Sequence, residues 1–256
     1  MTLIEALISG LAQGVTEFLP VSSSAHLVLI HNFFGLKENN IFFDICLHAA
    51  TLGAVVVFFR EDLRNILRNK NYKIVLYLFL GTIPAVLMAL FFEEKISSFF
   101  MFPRKVGLMM MVTALMLFFG QRAMMQKKKY KKIGTRNALI VGLAQAIALF
   151  PGISRSGATI STAIAVGIEK EEAFRFSFLL SIPAVLGAVV YKIVGAADIG
   201  GIEAIVSVNY LAGIITAFAV ALASLHVLEL VIRAKRLYIF GIYCFVLGTT
   251  VLLFVR

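Results

Sequence analysis

Residues 10–26 read Gly10-Leu11-Ala12-Gln13-Gly14-Val15-Thr16-Glu17-Phe18-Leu19-Pro20-Val21-Ser22-Ser23-Ser24-Ala25-His26. The stretch 132 positions later reads Gly142-Leu143-Ala144-Gln145-Ala146-Ile147-Ala148-Leu149-Phe150-Pro151-Gly152-Ile153-Ser154-Arg155-Ser156-Gly157-Ala158. Seven of the 17 aligned positions are identical, without a gap. Each copy sits in an apolar stretch, 3–34 or 138–167, interrupted at Pro20 or at Pro151-Gly152. The first interruption leaves arms of about 16 and 13 residues, which at 1.5 Å per residue reach only ~24 and ~20 Å. A hydrocarbon core is ~30 Å thick, so neither arm spans it. Each copy therefore reads as a re-entrant helix–loop–helix. Irregular backbone at membrane depth survives only against protein or a water-filled cavity, so both breaks are expected to line a site.

The rest of the chain fits that setting. Of its 256 residues, 60% are apolar and 15% charged, with a mean hydropathy of +0.93. A soluble domain of this length needs more polar surface. Long apolar runs predict six membrane spans, at about 40–59, 74–92, 105–120, 174–195, 208–230 and 237–255. The runs do not alternate, which excludes a β-barrel. Leu52-Gly53-Ala54-Val55-Val56 is repeated as Leu186-Gly187-Ala188-Val189-Val190. Each half is thus one hairpin plus three spans. Three is odd, so the second half starts on the opposite side of the membrane. The predicted fold is an all-α polytopic membrane protein with an inverted-topology repeat. It forms a single membrane domain over 1–256, with a first repeat at 1–121, a basic cytoplasmic linker at 122–136 and a second repeat at 137–256. Such folds place their site between the halves near the midplane.

The net charge of +10 lies mostly in loops. Loops 60–73, 121–136 and 231–236 hold 15 of the 24 Lys and Arg, including Lys127-Lys128-Lys129-Tyr130-Lys131-Lys132. The opposite side carries Lys37, Lys95, Arg104, Lys105 and Arg256. The basic side is expected in the cytoplasm, and the Lys run reads as a topogenic loop, not as a nucleic-acid site. The N-terminal hairpin then opens outward and the second inward. The first segment has no basic n-region and no small-residue cleavage site, so it is expected to be retained. Cys46 and Cys244 lie in apolar stretches without metal-type spacing and read as packing residues.

Polar groups gather at the two breaks. Gln13 and Glu17 are four apart and share a helix face. A charge at the centre of an apolar segment costs about 2.5–3.5 kcal/mol on insertion scales, and is kept where it meets a cavity, a cation or a partner. Ser22, Ser23 and Ser24 are placed to cap the second arm, with His26 one turn past Ser22. The second break supplies Ser154, Arg155, Ser156 and Thr159. A guanidinium grips phosphate with two parallel hydrogen bonds, and hydroxyls at a helix start add donors where the dipole favours an anion. The bland alternatives are an ion pair between Glu17 and Arg155 that knits the halves together, and serines that only satisfy broken helix ends. Glu, Ser, His and Arg together are more than such glue requires, and they suit phosphoryl transfer, which needs positioning and charge neutralisation. Asp44 and His48, four apart at the start of a span, read as a supporting pair.

The motif Gln13 to His26 closely resembles the first signature of the undecaprenyl-diphosphate phosphatases of the bacitracin-resistance type. Pro151-Gly152-Ile153-Ser154-Arg155-Ser156-Gly157-Ala158-Thr159 resembles the second. Phe43-Asp44-Ile45-Cys46-Leu47-His48, followed by Thr51, is similar to that family's stretch after the first hairpin. The resemblance covers essentially the whole chain. It implies hydrolysis of a C55 polyprenyl diphosphate to the monophosphate and inorganic phosphate, which recycles the cell-wall lipid carrier and confers bacitracin resistance. It also implies a divalent cation, Mg²⁺ or Ca²⁺, and a bacterial inner membrane with the site open to the outer face. Catalytic roles carry over onto Glu17, Ser23, His26 and Arg155, and substrate binding onto Gln13, Ser22, Ser154, Ser156 and Thr159. The family's first acidic position is Glu or Gln, and here it is Gln13. A two-carboxylate metal cage is therefore absent from the motif, and Glu17 is the metal ligand, with the substrate's own phosphates helping to hold the ion. The nucleophile stays open among Ser23, His26 and water. The alternative reading is a lipid flippase using the same cleft. Whether the chain works alone or as a homodimer is open.

Overall fold

The computed structural model describes residues 1–34, 41–126, 130–196 and 207–255, with backbone alone for 31–34, 41 and 192–196. Lys37, Lys127, Lys128, Lys129 and Arg256, counted above in the loop charges, lie outside the described residues. Every described element is a helix: α1 (Leu3–Thr16), α2 (Ser23–Phe34), α3 (Ile41–Phe58), α4 (Arg60–Arg68), α5 (Tyr72–Phe100), α6 (Pro103–Met125), α7 (Thr135–Ile147), α8 (Arg155–Ala165), α9 (Lys170–Ala196), α10 (Val208–Arg233) and α11 (Tyr238–Phe254).

Four of these, α5, α6, α9 and α10, are long and apolar enough to cross a membrane, and a fifth candidate is α3 joined to α4 through a 62° bend. The chain is thus a multi-pass membrane protein. The sixth expected span coincides with α11, whose 17 residues reach only ~26 Å. Both expected breaks are present. α1 and α2 have 14 and 12 residues, and α7 and α8 have 13 and 11, too few to span singly.

One element departs from the sequence reading. Residues 60–73 were expected as loop, yet 60–68 form α4. Glu61 and Asp62 in its first turn and Arg68 in its last oppose the helix dipole. Leu63 and Ile66, three apart, pack on the main core beside Phe58. Averaged over its charges, such a helix looks like a polar loop. The expected span 74–92 also continues to Phe100, with non-helical dihedrals at Phe92, the residue where the apolar run ends.

Packing joins the two halves. α1 lies along α10, α7 along α5, and α6 along α11. Glycines set the first two contacts. A Cβ on Gly10 would stand 2.4 Å from the Gly213 carbonyl oxygen, and one on Gly142 would stand 2.2 Å from that of Gly81. The two pairs are related by the same 132-residue shift, applied forward in one half and backward in the other. Gly107 and Gly248 bring α6 and α11 together in the same way. Without an aqueous driving force between helices, such close backbone approach is a main source of association in lipid.

Candidate active site

The break after α1 begins at its C-cap, Glu17, and passes Pro20 to Ser22, whose φ of +69° is left-handed. That turn releases the chain into α2, with the Ser22 Oγ accepting from the Ala25 N–H at 3.4 Å. The break before α8 turns at Gly152, φ +99°, where a Cβ would stand 2.4 Å from the Val106 carbonyl. Ser154 caps α8, its Oγ accepting from the Gly157 N–H at 3.1 Å. Arg155 therefore occupies the first position of a helix whose free N–H groups face the same region.

The two breaks meet. Arg155 Nη2 donates to Glu17 Oε1, and the Gly152 N–H donates to Ser24 Oγ at 3.4 Å. Oε2 of the same carboxylate accepts from Ser23 Oγ at 2.6 Å and from Gln13 Nε2 at 3.0 Å. Gln13 Nε2 also lies 2.9 Å from His48 Nδ1, which is 3.6 Å from Glu17 Oε2. The Gln13 amide is oriented by these contacts, because a flipped oxygen would face the carboxylate. Its Oε1 is buried and has no hydrogen-bond partner among the described residues. The cluster is dry on one side. Glu17 is 9% exposed and Gln13 fully buried, and the neighbouring Phe18 packs edge-on against Phe178 at 5.4 Å, next to Phe59 and Phe174.

The remaining expected residues lie on the two breaks and on the helices that follow them. Ser154 and Ser156 hydroxyls are 3.1 Å apart, and Thr159 Oγ1 donates back to the Arg155 carbonyl at 2.8 Å. Ser22 Oγ is 3.1 Å from Ser24 Oγ. His26 does not touch Ser23 or Glu17. Its Nδ1 is 2.7 Å from the Ser22 carbonyl and its Nε2 2.7 Å from the Tyr243 hydroxyl. Two contributors were absent from the sequence reading. Thr113 on α6 donates to the Gly152 carbonyl at 2.9 Å and accepts from the Ser154 N–H at 2.9 Å, fixing the second break. Tyr243 on α11 meets His26 across 217 residues. Both lie in apolar spans, where nothing in the spacing marks them.

No group of three His, Cys, Asp or Glu side chains able to hold a metal occurs among the described residues. The donor set still suits a hard cation shared with a phosphate ligand. Glu17 offers a carboxylate, and Gln13 Oε1, without a hydrogen-bond partner among the described residues, is a second oxygen on the neighbouring side chain. Mg²⁺ commonly takes one or two carboxylates and completes its shell with phosphate and water.

A guanidinium, a carboxylate, clustered hydroxyls and a helix N-terminus meet at a buried junction, a set of groups chemically able to bind a phosphate. The family model described as bacitracin resistance protein BacA matches residues 6–250. The chain belongs to that family. Relatives in the BacA family include the undecaprenyl-diphosphatase of Syntrophotalea carbinolica, 38% identical over 97% of this chain and 97% of that protein. That of Carboxydothermus hydrogenoformans is 37% identical over 98% and 97%, and that of Korarchaeum cryptofilum 37% identical over 98% and 99%. The matched residues 6–250 take in both breaks.

Proposed function

We propose that this protein hydrolyses undecaprenyl diphosphate to undecaprenyl phosphate and inorganic phosphate, the activity named for its relatives. The observation that carries the reading is the junction of Arg155 with Glu17, which brings an anion-gripping helix start against a carboxylate that also holds Ser23. The relatives carry the name of a hydrolase, which favours hydrolysis over lipid flipping.

In the proposed mechanism the isoprenoid tail stays among apolar helices and the diphosphate enters the junction. Arg155 turns from Glu17 to the phosphate oxygens, aided by Ser154, Ser156, Thr159 and the α8 N–H groups. Gln13 and Ser22 line the opposite wall. Ser23 donates its proton to Glu17, and its oxygen attacks the terminal phosphorus. The bond to the bridging oxygen breaks and the lipid monophosphate leaves; water then cleaves the Ser23 phosphoester and releases inorganic phosphate. His26 manages a proton at the leaving or entering oxygen. Glu17 and Gln13 Oε1 would hold a divalent cation, Mg²⁺ or Ca²⁺, together with the substrate phosphates, and its chemistry there is to offset their negative charge.

The finer architecture belongs to the same proposal. It comprises six spans, two re-entrant hairpins and an inverted repeat divided at the basic segment 122–136. The Gly10–Gly213 and Gly142–Gly81 contacts support it, because exchanging the halves maps one onto the other. The protein would sit in a bacterial inner membrane with its basic loops inside and its site open to the outer face.

The test is phosphate release by the purified protein from a long-chain prenyl diphosphate, with and without Mg²⁺. Wild type is expected to turn over with the metal, whereas Arg155→Ala and Ser23→Ala are expected to lose at least ~100-fold. Material labelled in the terminal phosphate should leave label on the protein only while Ser23 is present. Undiminished release by both variants would falsify the site.

A further inference from the structure

His26 is held in an unusual way for a group expected to move protons. Its Nδ1 lies 2.7 Å from the Ser22 carbonyl oxygen, which can only accept. Nδ1 therefore carries a hydrogen, and in the neutral ring the lone pair is on Nε2. That nitrogen is 2.7 Å from the Tyr243 hydroxyl, which must donate to it. The two ring planes lie 8° from parallel, with centroids 5.8 Å apart. Tyr243 itself is 44% exposed on α11.

α11 is pinned on both sides of this residue. A Cβ on Gly241 would stand 2.8 Å from the Phe118 ring, and one on Gly248 2.7 Å from the Gly107 carbonyl oxygen. Between them, the Cys244 thiol donates to the Pro20 carbonyl at 3.5 Å. The helix cannot rotate without losing all three contacts, so the hydroxyl is presented to His26 at a fixed place.

We propose that Tyr243 is a positioning residue. Its hydroxyl, fixed by the docking of α11 on α6 and on the first break, donates to Nε2 of a ring whose Nδ1–H the Ser22 carbonyl already sets, and so holds the imidazole in its plane. The catalytic consequence rests on the hydrolase reading above; the hydrogen bond itself does not.

Two measurements on the full chain in detergent decide the matter. In the first, Tyr243→Phe keeps the ring and removes the hydroxyl. The expected result is a fall in kcat of roughly 10- to 100-fold with unchanged KM, as for other residues that orient a functional imidazole, and an unchanged melting temperature. In the second, ¹⁵N spectra of the imidazoles are compared, with His26 assigned from the signal lost in His26→Gln. Wild type should show a single tautomer with unprotonated, hydrogen-bonded Nε2, and Tyr243→Phe the same tautomer with the Nε2 signal moved to that of a nitrogen without this hydrogen bond. Wild-type kcat in Tyr243→Phe overturns the proposal, and so does a fall in kcat with an unaltered His26 signal. If wild type releases no phosphate, the hydrolase reading fails, and the spectra alone decide the positioning.

Discussion

Glu17 binds four neighbours at once: Arg155 through one oxygen, Ser23 and Gln13 through the other, with His48 at 3.6 Å. Removing one member of a mostly buried ion pair strands its partner's charge, which costs more than the pair contributed. Glu17→Gln and Arg155→Met are therefore each expected to destabilise the protein by about 3–5 kcal/mol. The double variant should lose less than their sum by about 1–3 kcal/mol, read from denaturation in detergent. Simple additivity would mean that the contact is not formed in solution. Arg155→Lys keeps the charge and loses the planar fork, so it should restore stability better than activity. Much of this cluster was legible in the sequence, because Glu17, the serines and Arg155 lie inside two copies of one motif, at breaks that lipid does not tolerate unprotected. His48 was legible only as a supporting residue. Thr113 and Tyr243 were not legible, since their roles arise where α6 and α11 pack against the breaks.

At the scale of helices, the contacts that hold the halves together rest on backbone touching backbone. Gly142→Ala drives a methyl group to 2.2 Å from the Gly81 carbonyl, and Gly10→Ala does the equivalent against Gly213. Neither neighbour is a flexible side chain that can yield. Each substitution is expected to cost about 1–3 kcal/mol, as overpacking does. Gly187→Ala, which meets nothing within 4 Å, should be neutral or stabilise α9 by up to ~1 kcal/mol. Thermal melts of the three variants in one detergent give the comparison, and equal melting temperatures would refute the packing argument. The repeat that exposes these contacts was readable as Gly10-Leu11-Ala12-Gln13 against Gly142-Leu143-Ala144-Gln145. The partners Gly81 and Gly213 were not, because they stand alone in apolar spans. α4 was missed for a different reason: its charges hide a stripe of only two or three apolar residues, which becomes a helix through contact with the core.

For the molecule as a whole, the asymmetry of its charges predicts an orientation. Arg60, Arg64, Arg68, Lys70 and Lys73 gather before and at the start of α5, while Lys95, Arg104 and Lys105 lie at or just past its far end. The part of α5 before its kink at Phe92 is ~30 Å long, enough to reach from one side of a bilayer to the other. The positive-inside rule then puts Asn69 in the cytoplasm and Ser97 outside. Cys46 and Cys244 are free, so a labelling experiment starts from Cys46→Ala with Cys244→Ser, which keeps a donor toward Pro20. On that background, Ser97→Cys should react with a membrane-impermeant maleimide in intact spheroplasts. Asn69→Cys should react only after permeabilisation. Both positions are exposed, so a lack of reaction reports the membrane and not burial. The opposite pattern would invert the protein and turn the first break toward the cytoplasm. Labelling of both from outside would mean that α5 does not cross the bilayer, and the two breaks would then have no reason to approach from opposite leaflets.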